Sequence, residues 1–242
     1  MPFSVIIPTT RPDLLPRALR SVAAQQEPPR EVLVLHDGGP PLELGQWSFA
    51  LRSYGVMPRV GPSLARNMLA AAATGERLAF LDDDDEWLPD HLAHLRQDAG
   101  EGLCFTDAWL HHEAESWTRL FAFRFTPQLL RRTNPIILST VALSRTVFWR
   151  VGGFDPSLAR YEAWDLFLRL QRAGVAIRRQ PGADVLYHYS PRSLTADSGA
   201  MSAGFQAFCL RHGLEIGRSS FAGMLDDPDL AHVREDGEEQ VP

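Results

Sequence analysis

Short apolar runs alternate with segments of helical periodicity along the first third of the chain. The runs at 3–8, 31–35 and 77–81 are of strand length and rich in apolar residues. The segments at 11–26 and 61–75 carry apolar residues three and four positions apart, the spacing of one helix face. This alternation predicts an α/β fold with a mainly parallel, Rossmann-like sheet flanked by helices on both faces.

The pattern is weaker between these runs and in the second half of the chain. There we expect a weak helix at 44–53, strands at 56–60, 103–106, 136–143 and 183–189, an irregular segment at 111–126, and helices at 161–173 and 197–213. His91 and His94, one helical turn apart, are expected on the exposed face of a helix. Beyond about residue 226 the chain is acidic and polar, which predicts a mobile tail at 226–242.

Four consecutive aspartates, at 82–85, follow the apolar run at 77–81 and precede the apolar Trp87. Adjacent carboxylates repel one another, and a hard divalent cation bound through oxygen relieves that repulsion. A solvated acidic loop is the alternative, but such loops are not usually enclosed by apolar residues on both sides. Asp37 also follows a strand, and ligands of parallel sheets bind beyond the carboxyl ends of the strands. The sequence therefore predicts a ligand site at this edge.

The amino-acid composition excludes several classes of enzyme and partner. All 24 basic residues are arginine, which excludes a Walker A loop, a Schiff-base enzyme and a pyridoxal enzyme, because each needs a lysine. The two cysteines form no CxxC motif, and the net charge of −6 argues against nucleic acid as a partner. The chain has no apolar run of membrane-spanning length and no basic, cleavable N-terminal signal, so we expect a cytoplasmic protein.

Several short phrases, taken together and in order, resemble those of the family-2 glycosyltransferases. They cover about Ser4 to Tyr189 and read SVIIPTTRPD, VLVLHDGG, GPSLARN, FLDDDDEWLP, VGGFD and YEAWDLFLRL. The resemblance implies the nucleotide-diphospho-sugar transferase (GT-A) fold with a smaller acceptor-side region. It divides the one domain into a nucleotide-sugar-binding half at 1–107 and an acceptor-binding half at 108–225. It also implies a nucleotide-sugar donor, most commonly a UDP-sugar, a Mn²⁺ or Mg²⁺ cofactor, and transfer with inversion at the anomeric carbon.

The resemblance assigns roles to individual residues at the predicted edge. The family's nucleotide-binding positions correspond to Pro8, Thr9, Thr10, Asp37, Arg66, Asn67, Asp82 and Asp83. Its metal-binding positions correspond to Asp82 and Asp84 of the DxD motif and, in some relatives, to a histidine after the last strand, here His188. Simpler interpretations are a turn residue for Asp37, a structural partner of a loop aspartate for Arg66, and a packed side chain for His188.

The chain departs from the family at the residue expected to act as catalytic base. The family's Glu-Asp pair after GGFD corresponds here to Glu162 and Ala163, and alanine cannot accept a proton. Glu162 and Asp165 are therefore the candidate bases for the acceptor hydroxyl. Both acids also suit the first turn of a helix, where they complement the helix dipole. If neither acts as base, the chain is a nucleotide-sugar-binding protein of the same fold that has lost transfer.

The acceptor is defined only as a sugar, a lipid-linked compound or a small molecule, and the product as a polysaccharide or other glycoconjugate. The residues expected on the acceptor side are Arg124, Asn134, Ser139, Thr140, His111 and His112. The aromatic and arginine-rich stretch at 117–132 also fits association with a membrane surface, although nothing else in the sequence points to it.

Overall fold

The computed structural model describes residues 1–97, 100–158, 160–189, 205–206, 208–214 and 221–235. The strands are β1 (Phe3–Thr9), β2 (Glu31–Asp37), β3 (Leu51–Val56), β4 (Arg77–Phe80), β5 (Glu86–Trp87), β6 (Leu103–His112), β7 (Trp117–Phe121), β8 (Val141–Ser144) and β9 (Ile177–Tyr189). The helices are α1 (Leu15–Ala23), α2 (Pro62–Ala72), α3 (His91–Gln97), α4 (Pro127–Arg132), α5 (Arg145–Arg150), α6 (Glu162–Arg172) and α7 (Phe221–Leu225).

The described strands form one sheet in the order β3-β2-β1-β4-β8-β6-β9-β5, with β7 also paired to β6. Strands β3, β2, β1 and β4 are parallel neighbours, as the alternation of strands and helices predicts. Strand β8 runs antiparallel between β4 and β6, and β6 pairs in parallel with the long strand β9. The predicted α/β fold, with a mainly parallel sheet and helices on both faces, is confirmed.

The sheet is buried on both faces, which explains why its first strands are almost continuously apolar. Val5 and Ile7 of β1 pack in one core with α1, and Ile6 packs in a second core with α2 and α6. Because β1, β2 and β4 are parallel, their carboxyl ends lie at one edge, and the aspartates at 82–85 follow the last of them.

The predicted helix at 44–53 and strand at 56–60 are wrong. Strand β3 occupies Leu51–Val56, and residues 41–50 contain no helix or strand. The apolar side chains that produced the helical pattern pack individually against the core on the α1 face, where the rings of Trp47 and Phe49 stack at 5.7 Å. Pairing with β2 determines where β3 begins, and long-range pairing leaves no trace in local periodicity.

The segment expected to be irregular at 111–126 forms part of a hairpin instead. Strand β6 continues to His112 and pairs with β7, and Ser116 closes the turn with a φ of 53°. The stretch at 136–143 is a strand only from Val141 onward, because residues Leu138–Thr140 form a 3-10 turn. Of the helix predicted at 197–213, residues 205–206 and 208–212 are helical, and 197–204 and 207 lie outside the described residues.

The expectation that His91 and His94 lie on an exposed helix face is wrong for His91, whereas the side chain of His94 is 35% exposed. His91 is fully buried and lies 3.2 Å from the Thr106 hydroxyl, and His94 lies 2.7 Å from Asp184. Burial and, to a lesser degree, His94 lower the pKa of His91 to about 3. Helix α3 therefore carries a neutral histidine into the core instead of presenting it to water.

Part of the segment predicted as a tail at 226–242 is packed against the body. Leu230 is buried, and Arg234 forms a β-bridge with Phe123. Residues 236–242 lie outside the described residues. Among the described helices, none combines the length and the apolar character needed to cross a membrane.

Candidate active site

The aspartates at 82–85 alternate between accessible and buried positions. The side chains of Asp82 and Asp84 are 31% and 20% exposed, whereas Asp83 and Asp85 are buried. The two members of the DxD pair are therefore the carboxylates that a ligand can reach from the edge of the sheet.

Arg66 contacts one accessible aspartate and one candidate base. Its Nη2 lies 2.5 Å from Asp82 Oδ1, and its Nη1 lies 3.1 Å from Glu162 Oε1. Burial alone lowers the pKa of Arg66, but the two carboxylates outweigh it and the net shift is upward, so the guanidinium stays charged. The structural pairing with a loop aspartate is thus present, and it connects α2 with the start of α6.

Arg11 contacts two other aspartates of the run, Asp83 and Asp84. Its Nη2 donates to Asp83 Oδ1 at 2.6 Å and to Asp84 Oδ2 at 2.7 Å. The Thr9 hydroxyl donates to Asp83 Oδ2 at 2.6 Å and accepts from the backbone N–H of Arg11 at 2.9 Å. Thr9 and Asp83, both predicted to bind nucleotide, therefore fix the loop after β1 in this structure.

Asp85 is enclosed by the second half of the sheet. Its carboxylate accepts from the Ser139 hydroxyl and from the backbone N–H of His188, the latter at 3.1 Å. Burial raises the pKa of Asp85 well above its usual range, and the neighbouring Asp84 and Asp82 add to the shift. Asp85 thereby ties the end of β9 to the aspartate run.

The remaining predicted nucleotide-binding residues fall into two groups. Pro8 and Thr10 lie at the end of β1, where Thr10 is exposed at the edge. Asp37 and Asn67 make structural contacts: Asp37 accepts the N–H groups of residues 60 and 61 at 2.7 and 2.9 Å, before α2. The side-chain amide of Asn67 donates to the carbonyl of Phe154 at 2.8 Å and accepts its N–H at 2.9 Å.

The two candidate bases have different surroundings. Glu162 opens α6 and is 17% exposed beside Arg66. Asp165 is fully buried; its Oδ2 accepts from Arg169 Nε at 2.8 Å, and its Oδ1 accepts from His212 Nε2 at 2.9 Å. Both carboxylate oxygens of Asp165 are therefore buried and hydrogen-bonded, whereas the carboxylate of Glu162 is accessible at the edge of the sheet.

His188 lies in a second cluster of titratable groups beside the run. Its Nε2 is 2.8 Å from Glu86 Oε1 and its Nδ1 is 3.2 Å from Glu113 Oε1. Among the described residues, the ligand atoms of His188, Glu113 and His111 lie within 4.8 Å of one another. His188 is thus grouped with the β6–β7 turn, and no such group of three containing Asp82 or Asp84 occurs in the described part of the chain.

Two arginines at this edge had no role in the sequence-based prediction. Arg11 neutralises two aspartates, and Arg17 of α1 donates to the backbone carbonyl of Asp84 and approaches Glu113 at 3.3 Å. Both arginines follow β1 closely in the sequence, and this position could have placed them at the edge of the sheet. On the expected acceptor side, Ser139 and Thr140 are buried, while Arg124 is exposed and contacts the carbonyl of His232.

Similarity to solved structures defines the class of fold. Crystallised residues 1–349 of S. aureus TarS in complex with UDP-GlcNAc give a TM-score of 0.65 at 16% identity, over 92% of this chain and 69% of that one. Mannosyltransferase PcManGT from Pyrobaculum calidifontis, in complex with GDP-Man and Mn²⁺, gives 0.59 at 21% identity, over 80% and 59%. In another TarS structure of residues 1–349 the chain spans 60% of the length.

Sequence similarity identifies the family. Residues 4–152 match the model of Glycosyl transferase family 2, so the chain belongs to this family and is a glycosyltransferase. The uncharacterized glycosyltransferase YwdF of Bacillus subtilis (strain 168) is 26% identical over 251 residues, 95% of this chain and 91% of that protein. Succinoglycan biosynthesis protein ExoW of Rhizobium meliloti (strain 1021) is 38% identical over 105 residues, 39% of this chain and 33% of that protein.

Proposed function

We propose that the chain is an inverting, metal-dependent glycosyltransferase that moves a sugar from a UDP-sugar to an acceptor hydroxyl. The observation that carries the proposal is the contact of Arg66 with both Asp82 and Glu162. An arginine between these carboxylates suits a site where a diphosphate lies next to a base, because a guanidinium binds phosphate oxygens in a bidentate manner.

On the donor side, the partly exposed Asp82 and Asp84 fit a hard cation, because Mg²⁺ and Mn²⁺ prefer oxygen ligands and need few carboxylates. When bound there, Mn²⁺ or Mg²⁺ supplies charge neutralisation for the departing nucleoside diphosphate. Arg66 exchanges part of its carboxylate contact for the diphosphate and keeps it oriented. Thr10 borders the nucleotide, and Asp37 shapes the same edge by fixing the start of α2.

The nature of the donor is supported by similarity alone. TarS has been crystallised with UDP and with UDP-GlcNAc, which favours a uridine carrier. PcManGT has been crystallised with GDP-Man and Mn²⁺, which supports manganese and makes GDP the competing carrier. The acceptor is a hydroxyl of a sugar, a lipid-linked compound or a small molecule.

Glu162 is the proposed base. Its carboxylate takes the proton of the acceptor hydroxyl as the hydroxyl oxygen forms its bond to the anomeric carbon. The bond from that carbon to the diphosphate oxygen breaks on the opposite side, which inverts the configuration. The carboxylate lies 3.1 Å from Arg66 Nη1 and keeps 17% of its side-chain surface accessible, so an acceptor hydroxyl can approach it.

A second function, nucleotide-sugar binding without transfer, is favoured by one observation. Ala163 stands where the family has an aspartate, and Glu162 would have to reach the acceptor from the preceding position of α6. The two functions share the donor site and differ only in turnover.

The test has two stages. A thermal-shift panel of UDP, GDP, CDP and dTDP, each with and without Mn²⁺, identifies the carrier, because a ligand specific for the folded state raises the melting temperature. We expect the largest Mn²⁺-dependent rise with UDP; a larger rise with GDP overturns the uridine assignment. Transfer and donor hydrolysis are then measured with the selected nucleotide sugar. Metal-dependent binding without turnover on any acceptor favours the second function, and no metal-dependent nucleotide binding overturns both.

A further inference from the structure

The imidazole of His188 has one nitrogen that is fixed and one that is free to bind a ligand. Its Nε2 lies 2.8 Å from the Glu86 carboxylate, and a carboxylate can only accept, so Nε2 carries the proton of the neutral ring. Its Nδ1 is buried and has no hydrogen-bond partner among the described residues, although Glu113 Oε1 lies 3.2 Å away. A nitrogen lone pair and a carboxylate oxygen at this separation repel each other, and a metal ion bound by both atoms would remove that repulsion.

His111 faces the same point from the neighbouring strand. It is the register partner of His188 in the parallel pairing of β6 with β9, and the two rings meet edge to face at 5.4 Å. Its Nδ1 is engaged with the Thr118 hydroxyl at 2.8 Å, which leaves Nε2 available. One ligand atom from each of His111, His188 and Glu113 falls within 4.8 Å of the others.

We propose that His111, Glu113 and His188 form a binding site for a transition-metal ion of the zinc class, separate from the cation site of the aspartate run. Two imidazoles and one carboxylate are ligands that Zn²⁺ and similar ions prefer, and three protein ligands leave a position open for water. Mg²⁺, which prefers oxygen ligands, binds poorly at such a site. Glu86 and Thr118 act as the outer groups that orient the two imidazoles, as is usual around metal-bound histidines.

The position of Arg17 distinguishes this site from the aspartate run. Its guanidinium donates to the backbone carbonyl of Asp84 and also pairs with Glu113 at 3.3 Å and Glu86 at 3.6 Å, so a bound ion would take the place of Arg17 beside Glu113. The accessible carboxylate of Asp84 is paired with Arg11 instead. The bound ion would hold the exposed Glu113, and with it the β6–β7 turn, against the end of β9.

The experiment titrates the chelator-treated full chain with Zn²⁺ alone by calorimetry, and with Co²⁺ by visible absorption, which reports imidazole coordination. No nucleotide is present, so the outcome is independent of the proposed donor chemistry. We expect one equivalent to bind the unaltered chain. Glu86→Gln should weaken binding about 10- to 100-fold, as loss of an outer group does, and Glu113→Ala and His111→Ala should weaken it more.

The controls use residues outside the proposed ligand set. Glu115→Ala changes another acid of the same turn, whose carboxylate accepts from the indole N–H of Trp117 at 2.9 Å, and should leave the affinity unchanged. Asp84→Ala should also leave it unchanged. Equal losses in Asp84→Ala and His111→Ala would show one shared ion and overturn the proposal. Binding that survives both Glu113→Ala and His111→Ala, or no Zn²⁺ binding to the unaltered chain, overturns it as well.

Discussion

The guanidinium of Arg66 lies 3.1 Å from the carboxylate of Glu162 and so joins the helix that faces the donor edge to the helix that carries the proposed base. Arg66 is nearly fully buried, whereas Glu162 keeps part of its surface accessible. In the proposed mechanism, a diphosphate that attracts Arg66 loosens its contact with Glu162, the proposed base.

Glu162→Gln is expected to preserve nucleotide binding and to remove transfer. Glutamine keeps the size of the side chain but cannot take the proton of the acceptor, and general-base catalysis contributes about 100- to 10,000-fold to rate. The measurement is single-turnover transfer beside the Mn²⁺-dependent thermal shift. The matched control is Glu76→Gln at an exposed glutamate, which should change neither quantity. Full turnover in Glu162→Gln contradicts the assignment of the base.

Asp84→Ala is expected to abolish the metal-dependent part of nucleotide binding. Its carboxylate is accessible, and alanine removes the oxygen ligand while Asp83 continues to hold Arg11. The rise in melting temperature with UDP and Mn²⁺ should disappear, and the value without ligand should change little. Asp13→Ala, at an exposed aspartate after β1, serves as control. An unchanged Mn²⁺-dependent rise in the Asp84 variant rules out that residue as a ligand.

The edge of the sheet was predictable from sequence because it follows from topology. Apolar runs mark β1, β2 and β4, and parallel strands bring their carboxyl ends together. Which aspartate is accessible was not predictable, because the partners of Asp83 and Asp85 come from Thr9, Arg11 and Ser139, far away in sequence. Strand β3 was missed for the same reason, since its pairing with β2 decides its boundaries.

Asp165→Asn is expected to lower stability and to leave the rate per folded molecule unchanged. The carboxylate is fully buried and accepts from Arg169 and from His212, 47 residues away, so loss of its charge leaves both donors poorly compensated. The cost is about 3–5 kcal/mol of unfolding free energy, the range for breaking a buried ionic contact. Denaturant unfolding and active-site titration separate the two quantities. A large loss of rate at unchanged stability would return Asp165 to the list of candidate bases.

His91 should make the protein less stable in acid. The folded-state pKa of about 3 lies below the usual value of 6.5, because burial and then His94 disfavour the charged ring. Between these values the unfolded chain binds a proton that the folded chain does not. The free energy of unfolding is therefore unaffected by protonation of His91 above pH 6.5 and decreases as the pH falls toward 3. At pH 5 the loss is about 2 kcal/mol.

His91→Phe keeps an aromatic ring against Trp87 and removes the titration, so its unfolding free energy should fall less between pH 6.5 and 5 than that of the unaltered chain. His232→Gln, at an exposed histidine, should keep the original slope; an equal slope in His91→Phe contradicts the assignment.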